Sequence, residues 1–204
     1  EDAALVEPFA IGSHCTGRGR VVEDDVVFIL GTGTIGSIIL QTCKAKGCKT
    51  VICCDISDSS LERAKEYGAD YVINSKTQDV VAEIQKITDG HGCTVAFDSA
   101  CFPGSLTMCL QPGILCNAGR MVPMGFCTEK EGITQAMINQ RELDIIGSRM
   151  SQDAFEPTIA RMEKGEYITE GIATTFIKFS DIDKVFYLMD HPDESAKKMV
   201  ILFD

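Results

Sequence analysis

No apolar run in this sequence of 204 residues approaches the roughly 18 to 20 residues that a membrane-spanning helix requires, which argues against a membrane protein. Basic residues are in the minority, 19 against 30 acidic ones, and they gather into no stripe. A net charge of -11 then speaks against a nucleic-acid partner, although a local phosphate site needs only backbone N–H groups. The ten cysteines include no Cys-x-x-Cys spacing, so no zinc lobe is encoded. Most stand in apolar runs such as Val51 to Cys54 and read as small buried hydrophobes of a reducing compartment, the cytoplasm. Neither an internal repeat nor a low-complexity stretch occurs. The opening residues Glu1 to Val6 have no starting Met, no basic region and no signal-like apolar core, which leads us to expect a piece of a longer protein.

What is present is globular. Apolar residues make up 45% and charged residues 24% of the chain, enough for one full core plus an appendage. From Asp25 onward short β-branched runs alternate with segments of helical period. Strands are expected at 26–30, 50–54, 71–73, 94–97, 120–124 and 143–146, with helices between them. The first, Val26-Val27-Phe28-Ile29-Leu30, is apolar without alternation, as a strand covered on both faces should be. The fold class expected is α/β, a doubly wound parallel six-stranded Rossmann sheet. Beyond Met150 the pattern changes to helix, strand, helix and strand. The division expected is residues 1–16 as a linker, 17–150 as the dinucleotide-binding domain and 151–204 as a separate C-terminal piece.

Gly31-Thr32-Gly33-Thr34-Ile35-Gly36 follows the first strand and opens a helix, which turns a weak G-x-G-x-x-G match into a strong one. Gly31 permits a tight turn, Gly33 admits a pyrophosphate to the backbone, and Gly36 lets the helix pack close to the strand. Thr34 and Ile35 belong to the first helical turn, whose free N–H groups and dipole favour an anion. Asp55 stands 19 positions after Gly36, at the end of the second strand. A carboxylate there accepts hydrogen bonds from the adenosine ribose hydroxyls and repels a 2′-phosphate, so NAD is expected over NADP. Ser37 follows the motif where a Walker loop needs Lys-Ser/Thr, and no Tyr-x-x-x-Lys is present, so a P-loop and the short-chain dehydrogenase dyad are both excluded.

The segments Leu5-Val6-Glu7-Pro8-Phe9-Ala10, Asp24 to Gly36, Ala64 to Asp70, Ala118 to Gly125, Arg141 to Ser148 and Lys197 to Ile201 together resemble the zinc-type medium-chain alcohol and polyol dehydrogenases. Within them the sorbitol, galactitol-phosphate and threonine dehydrogenase branch is the most similar. The resemblance implies a coenzyme domain with a C-terminal segment that returns to an absent catalytic domain. It further implies hydride transfer between a secondary alcohol, such as a polyol, and NAD, with a catalytic zinc whose Cys and Gly-His-Glu ligands are missing here. By resemblance Glu7 matches a carboxylate on or just behind that zinc. Its plainer reading is a helix-start acid beside Pro8. Lys198, or its neighbour Lys197, matches a basic residue that reaches the pyrophosphate from the final strand. Met124, Ser148 and Met150 match backbone positions facing the nicotinamide carboxamide, and Arg149 is placed near a polar substrate.

Two departures stand out. Ser60 occupies a position where many relatives carry an adenine-stacking Arg, and Ser99-Ala100-Cys101 replaces a Gly after the fourth strand. His14 and His91 match no catalytic requirement. The resemblance also implies a homodimer or homotetramer joined through the outermost strand, Leu143 to Ser148. Two alternatives remain open on the sequence: a zinc-independent quinone or enoyl reductase, and a non-catalytic NAD-sensing module.

Overall fold

In the computed structural model, which describes residues 2–191 and 198–203, a 3-10 turn at Asp2–Leu5 leads into helix α1 (Val6–Arg18). This helix crosses the boundary at residue 16. Phe9 and Cys15 on it are fully buried. The chain then enters strand β1 (Val26–Leu30) and helix α2 (Thr34–Ala45). A Cβ at Gly12 would lie 2.5 Å from Ile38 Cγ2, so the absence of a side chain there sets how closely α1 and α2 approach.

The alternation continues through β2 (Thr50–Asp55), α3 (Asp58–Glu66), β3 (Tyr71–Asn74), α4 (Val80–Ile87), β4 (Cys93–Asp98), α5 (Ser105–Cys109), β5 (Leu115–Pro123), α6 (Gln135–Asn139) and β6 (Asp144–Ile145). Every pairing is parallel, and the strand order is β3-β2-β1-β4-β5-β6, the doubly wound arrangement expected. Side chains alternate across the sheet, and both faces are covered. Val27, Ile29, Val51 and Cys53 join one core. Phe28, Leu30, Ile52 and Cys54 join the other. That is why these strands read as unbroken apolar runs.

Strand boundaries differ from the sequence expectation by no more than one residue at any end of β2, β3, β4 and β6, and by more at the start of β5. β5 begins at Leu115 rather than Arg120, because Cys93 pairs with Leu115 and Val95 with Arg120 around a bulge. Ala118 sits in that bulge at φ +54, its N–H bonded to the Arg141 carbonyl. β6 is confined to Asp144–Ile145 instead of 143–146. The Leu143 N–H is already committed to the Ile138 carbonyl in closing α6, and Glu142 at φ +51 turns the chain sharply into the strand.

At the N-terminal edge of the sheet, Arg120 ties three segments together. Its guanidinium donates to the carbonyls of Gly19 and Arg20, each at 2.8 Å, and to the Asp25 carboxylate. Asp25 also accepts from the Val22 N–H and the Thr94 hydroxyl. Its side chain is 5% exposed and that of Arg120 15%. Removing one partner of a buried pair leaves the other uncompensated, so Arg120→Met is expected to cost about 3 kcal/mol. Urea unfolding measures it; an unchanged midpoint would mean the pair is solvated and dispensable.

After β6 come α7 (Phe155–Glu163), β7 (Thr175–Lys178), a 3-10 turn at Phe179–Asp181, α8 (Asp183–Asp190) and β8 (Met199–Leu202). β7 and β8 form a separate two-stranded parallel sheet. The stretch between α7 and β7 is docked on the Rossmann layer. Tyr167 stacks on Phe9 with centroids 4.6 Å apart, and the Gln41 side-chain amide exchanges two hydrogen bonds with the Ile168 backbone. The Tyr67 hydroxyl donates to the Glu170 carbonyl at 2.9 Å. No helix among the described residues is long and apolar enough to cross a membrane.

Candidate functional site

Parallel pairing puts the C-terminal ends of the strands on one edge. Leu30 pairs with both Cys54 and Asp98, Asp98 with Pro123, and Met121 with Ile145. Gly31, Asp55, Ser99, Met124 and the 146–150 loop therefore leave the sheet on the same side. Between β1 and β4 the connections diverge to opposite faces, the crevice where doubly wound sheets bind ligands.

The three motif glycines are bare for three different reasons. Gly31 adopts φ +87, and a Cβ on it would lie 2.8 Å from the Ala100 nitrogen. At Gly36 a Cβ would lie 1.9 Å from the Gly31 carbonyl oxygen. Both are demanded by the chain's own packing. Gly33 has ordinary extended geometry, φ -66 and ψ -164, and a Cβ there would meet nothing within 4 Å. The fold makes no use of its bareness. Gly33 is the N-cap of α2, and no side chain caps that helix, so the N–H groups of its first turn, Thr34 to Gly36, face outward without an intrahelical acceptor.

The turn is braced from behind by a residue that sequence reasoning treated only as a departure. Ser99 donates its hydroxyl to the carbonyls of Leu30 (3.0 Å) and Gly31 (2.7 Å), while Ala100 packs against Gly31. Cys101 stands at φ +53, a conformation in which the more usual Gly is unstrained.

Asp55 is half-buried beside this turn, and its carboxylate is fully engaged. One oxygen accepts from the Thr32 N–H (2.7 Å) and hydroxyl (2.9 Å), the other from the N–H groups of Ile56 and Ser57. Nothing in the sequence pattern singles out Thr32, since it fills a free position of the motif. An open cleft of about 480 Å³ lies alongside, lined by Gly33, Asp55, Ile56, Ser57, Ser60 and Lys76. Ile56 is 56% exposed there and offers an apolar surface. Ser60 is buried in its wall rather than projecting as the Arg it replaces would.

The remaining predicted residues are dispersed along this edge. Met124 follows β5, its N–H bonded to the Asp98 carbonyl. The Ser148 hydroxyl is buried without a hydrogen-bond partner among the described residues. Met150, at φ +59, is 60% exposed. The Arg149 guanidinium lies 5.6 Å over the exposed Phe126 ring. The Lys198 carbonyl accepts from the Thr174 N–H, the Lys198 N–H donates to the Thr174 hydroxyl oxygen, and Thr174 lines a narrow recess shared with Gly33 and Thr34. The C-terminal segment thus reaches the glycine turn; Lys197 lies outside the described residues. Glu7 is exposed in the first turn of α1. Among the described residues no three His, Cys, Asp or Glu side chains gather as a metal site, and Glu7 stands in no such group there. Seven of the ten thiols are buried; burial pushes those of Cys15, Cys54 and Cys93 up to about 12, which makes them core atoms rather than nucleophiles.

A doubly wound parallel sheet with a glycine turn after β1 and a carboxylate after β2 defines a dinucleotide-binding domain. Residues 34–164 match the zinc-binding dehydrogenase family, and the chain belongs to that family. It is 34% identical over 203 residues to the starvation-sensing protein RspB of Escherichia coli, covering 98% of this chain and 58% of that one. It is 31% identical over 176 residues to a sorbitol dehydrogenase of Bacillus subtilis, covering 86% of this chain and 48% of that one. Among solved structures, RspB of E. coli, described as an alcohol dehydrogenase complexed with NADH, superposes with a TM-score of 0.87 at 32% identity, over 98% of this chain and 58% of that one. The 2R,3R-butanediol dehydrogenase of B. subtilis does so with a TM-score of 0.85 at 28% identity, over 97% and 56%. The chain therefore spans about half the length of the proteins it matches.

Proposed function

We propose that this chain is the NAD(H)-binding part of an alcohol or polyol dehydrogenase, with the coenzyme pyrophosphate on the turn at Gly31, Gly33 and Gly36 and on the N–H groups of Thr34 and Ile35. The observation that carries this reading is Gly33, a motif glycine whose missing side chain benefits nothing inside the protein. Its open side faces the first turn of α2, where anions are favoured. The cleft at Asp55 then takes the adenosine, its base against Ile56 and its ribose on the carboxylate. The Thr32 hydroxyl, which can rotate away, is the bond a ribose hydroxyl displaces. Met124, Ser148 and Met150 line the nicotinamide side, Arg149 reaches toward substrate, and Lys198 approaches the phosphates from the tail.

Bound NAD supplies the hydride acceptor; this chain's residues bind it, orient it and hold the turn rigid. The substrate-polarising zinc of the family would need ligands from outside this chain, and Glu7 would join it only in that company. Exposed Phe176, Phe179, Phe186 and Phe203 around β7, α8 and the end of β8 support a tail that is covered by the rest of a longer enzyme. We further propose cytoplasmic residence, supported by ten unpaired thiols, and a homodimer or homotetramer that pairs the exposed β6 edge.

The test is calorimetric titration with NADH and NADPH. Wild type is expected to favour NADH, and Asp55→Ala to weaken NADH about tenfold or more, losing two charge-assisted hydrogen bonds. Because Asp55 also holds Thr32, the ratio is the decisive readout. Loss of a brace alone weakens both coenzymes equally, whereas loss of the ribose contact narrows the gap between them. Failure of wild type to bind either would end this reading.

A further inference from the structure

The recess beside the glycine turn contains a guanidinium nitrogen that has no hydrogen-bond partner among the described residues. Arg63 and Tyr67 lie one helical turn apart along α3 and its C-cap and therefore share a face. Tyr67 fastens the tail loop through the Glu170 carbonyl. Arg63 enters the recess formed with Thr32, Gly33, Thr34 and Ser37 on one side and Gly171 to Thr174 on the other. Its Nη2 atom is buried and has no hydrogen-bond partner among the described residues.

Two costs coincide here. A buried guanidinium nitrogen without an acceptor loses its hydration for nothing. It also lies against the start of α2, the positive end of that helix, where a cation is repelled and an anion attracted. An anion placed between the guanidinium and the first N–H groups of α2 reverses both costs at once. The recess is narrow, about 10 Å³, which is room for roughly one oxygen atom. A whole phosphate does not fit inside; one phosphate oxygen, with the rest of the group at the mouth, does.

We propose that Arg63 is a coenzyme-binding residue that takes an oxygen of the dinucleotide pyrophosphate from the side opposite the α2 N-terminus. This rests on the coenzyme reading above and extends it to a residue on α3 that the dinucleotide motif does not include. The tail loop then has a function of its own, since it supplies part of the wall around the buried Arg63 Nη2.

Arg63→Met keeps the length and packing of the stem and removes the charge. Titrations with NADH, ADP-ribose and adenosine separate the contributions, because only the first two carry the pyrophosphate. The expected result is at least about a tenfold loss for NADH and ADP-ribose, the effect of removing one charge-assisted hydrogen bond. Adenosine should change by less than about twofold, and the melting temperature of the ligand-free protein should hold or rise, since an uncompensated charge has gone. An equal loss for adenosine and ADP-ribose, or no loss at all while Asp55→Ala still weakens NADH, overturns the assignment and leaves the coenzyme reading standing. If wild type binds neither NADH nor ADP-ribose, the coenzyme reading falls and this assignment with it. Should Arg63→Met not fold, Arg63→Gln decides by the same ratio: a narrowed preference for ADP-ribose over adenosine supports the assignment, and an unchanged preference overturns it.

Discussion

Replacing Gly36 by alanine is expected to lower the melting temperature by about 10 °C and to abolish measurable NADH binding. One methyl group causes this because its place is already taken. The new Cβ would stand 1.9 Å from the Gly31 carbonyl oxygen and 2.8 Å from Ser99 Oγ. These are a backbone group and a side chain held by two hydrogen bonds, so neither swings aside cheaply. Instead α2 must back away by more than an ångström from the turn, and Ile38, Ile39, Leu40 and Cys43, all fully buried, must move with it. Overpacking of that kind costs about 3 kcal/mol, which for a domain of this size corresponds to about 10 °C. The Ser99 bond to the Gly31 carbonyl is lost in the same movement, and the N–H groups of the first helical turn are re-aimed. Differential scanning fluorimetry reads the first effect and calorimetry the second. A melting temperature within about two degrees of wild type would show that the contact relaxes freely and that Gly36 is not the packing point.

Gly33→Ala is expected to show the opposite partition, at least about a 100-fold loss of NADH affinity, about 2.7 kcal/mol, with little change in stability. A Cβ at this position meets no atom of the protein within 4 Å, and the backbone angles suit any residue. The folded state should lose no more than about 1 kcal/mol, through the poorer N-cap preference of alanine. The same Cβ occupies the ground on which a pyrophosphate must lie to reach the N–H groups of α2. Two variants three residues apart, chemically identical, thus separate a glycine required by the fold from a glycine required by a ligand. Undiminished NADH binding by Gly33→Ala would place the phosphates elsewhere and remove the central support of the proposed function.

The sequence carried the frame of this protein because the frame is made of local patterns. Unbroken apolar runs at Val26 to Leu30 and Val51 to Cys54 require strands covered on both faces, and helical periods between them require parallel crossovers. Three glycines at fixed spacing and an acid at the next strand end mark the tight turn after the first strand before any coordinate is known. The helix at Val6–Arg18 was hidden by expecting a linker, although Glu7-Pro8 already suggested a helix start. The late start assigned to β5 had a different cause, since a bulge is a property of two strands and has no pattern in one.

Which individual residues complete the site lay beyond the chain's own order. Thr32 becomes the partner of Asp55, and Ser99 the brace of Gly31, only because β1 is flanked by β2 on one side and β4 on the other. Arg63 acquires a candidate role only because the loop at Gly171 to Thr174, more than 100 positions later, closes over it. By itself the sequence determined the fold, the glycine turn and the family, since each depends on periodicity and on residue types within one βαβ unit. Tertiary structure alone decided that Gly33 faces open space while Gly31 and Gly36 face backbone, that the Asp55 carboxylate is shared between turn and cleft, and that Arg63 Nη2 is buried without a hydrogen-bond partner among the described residues. Those are facts about distance between segments, and the long-range packing of the chain sets them.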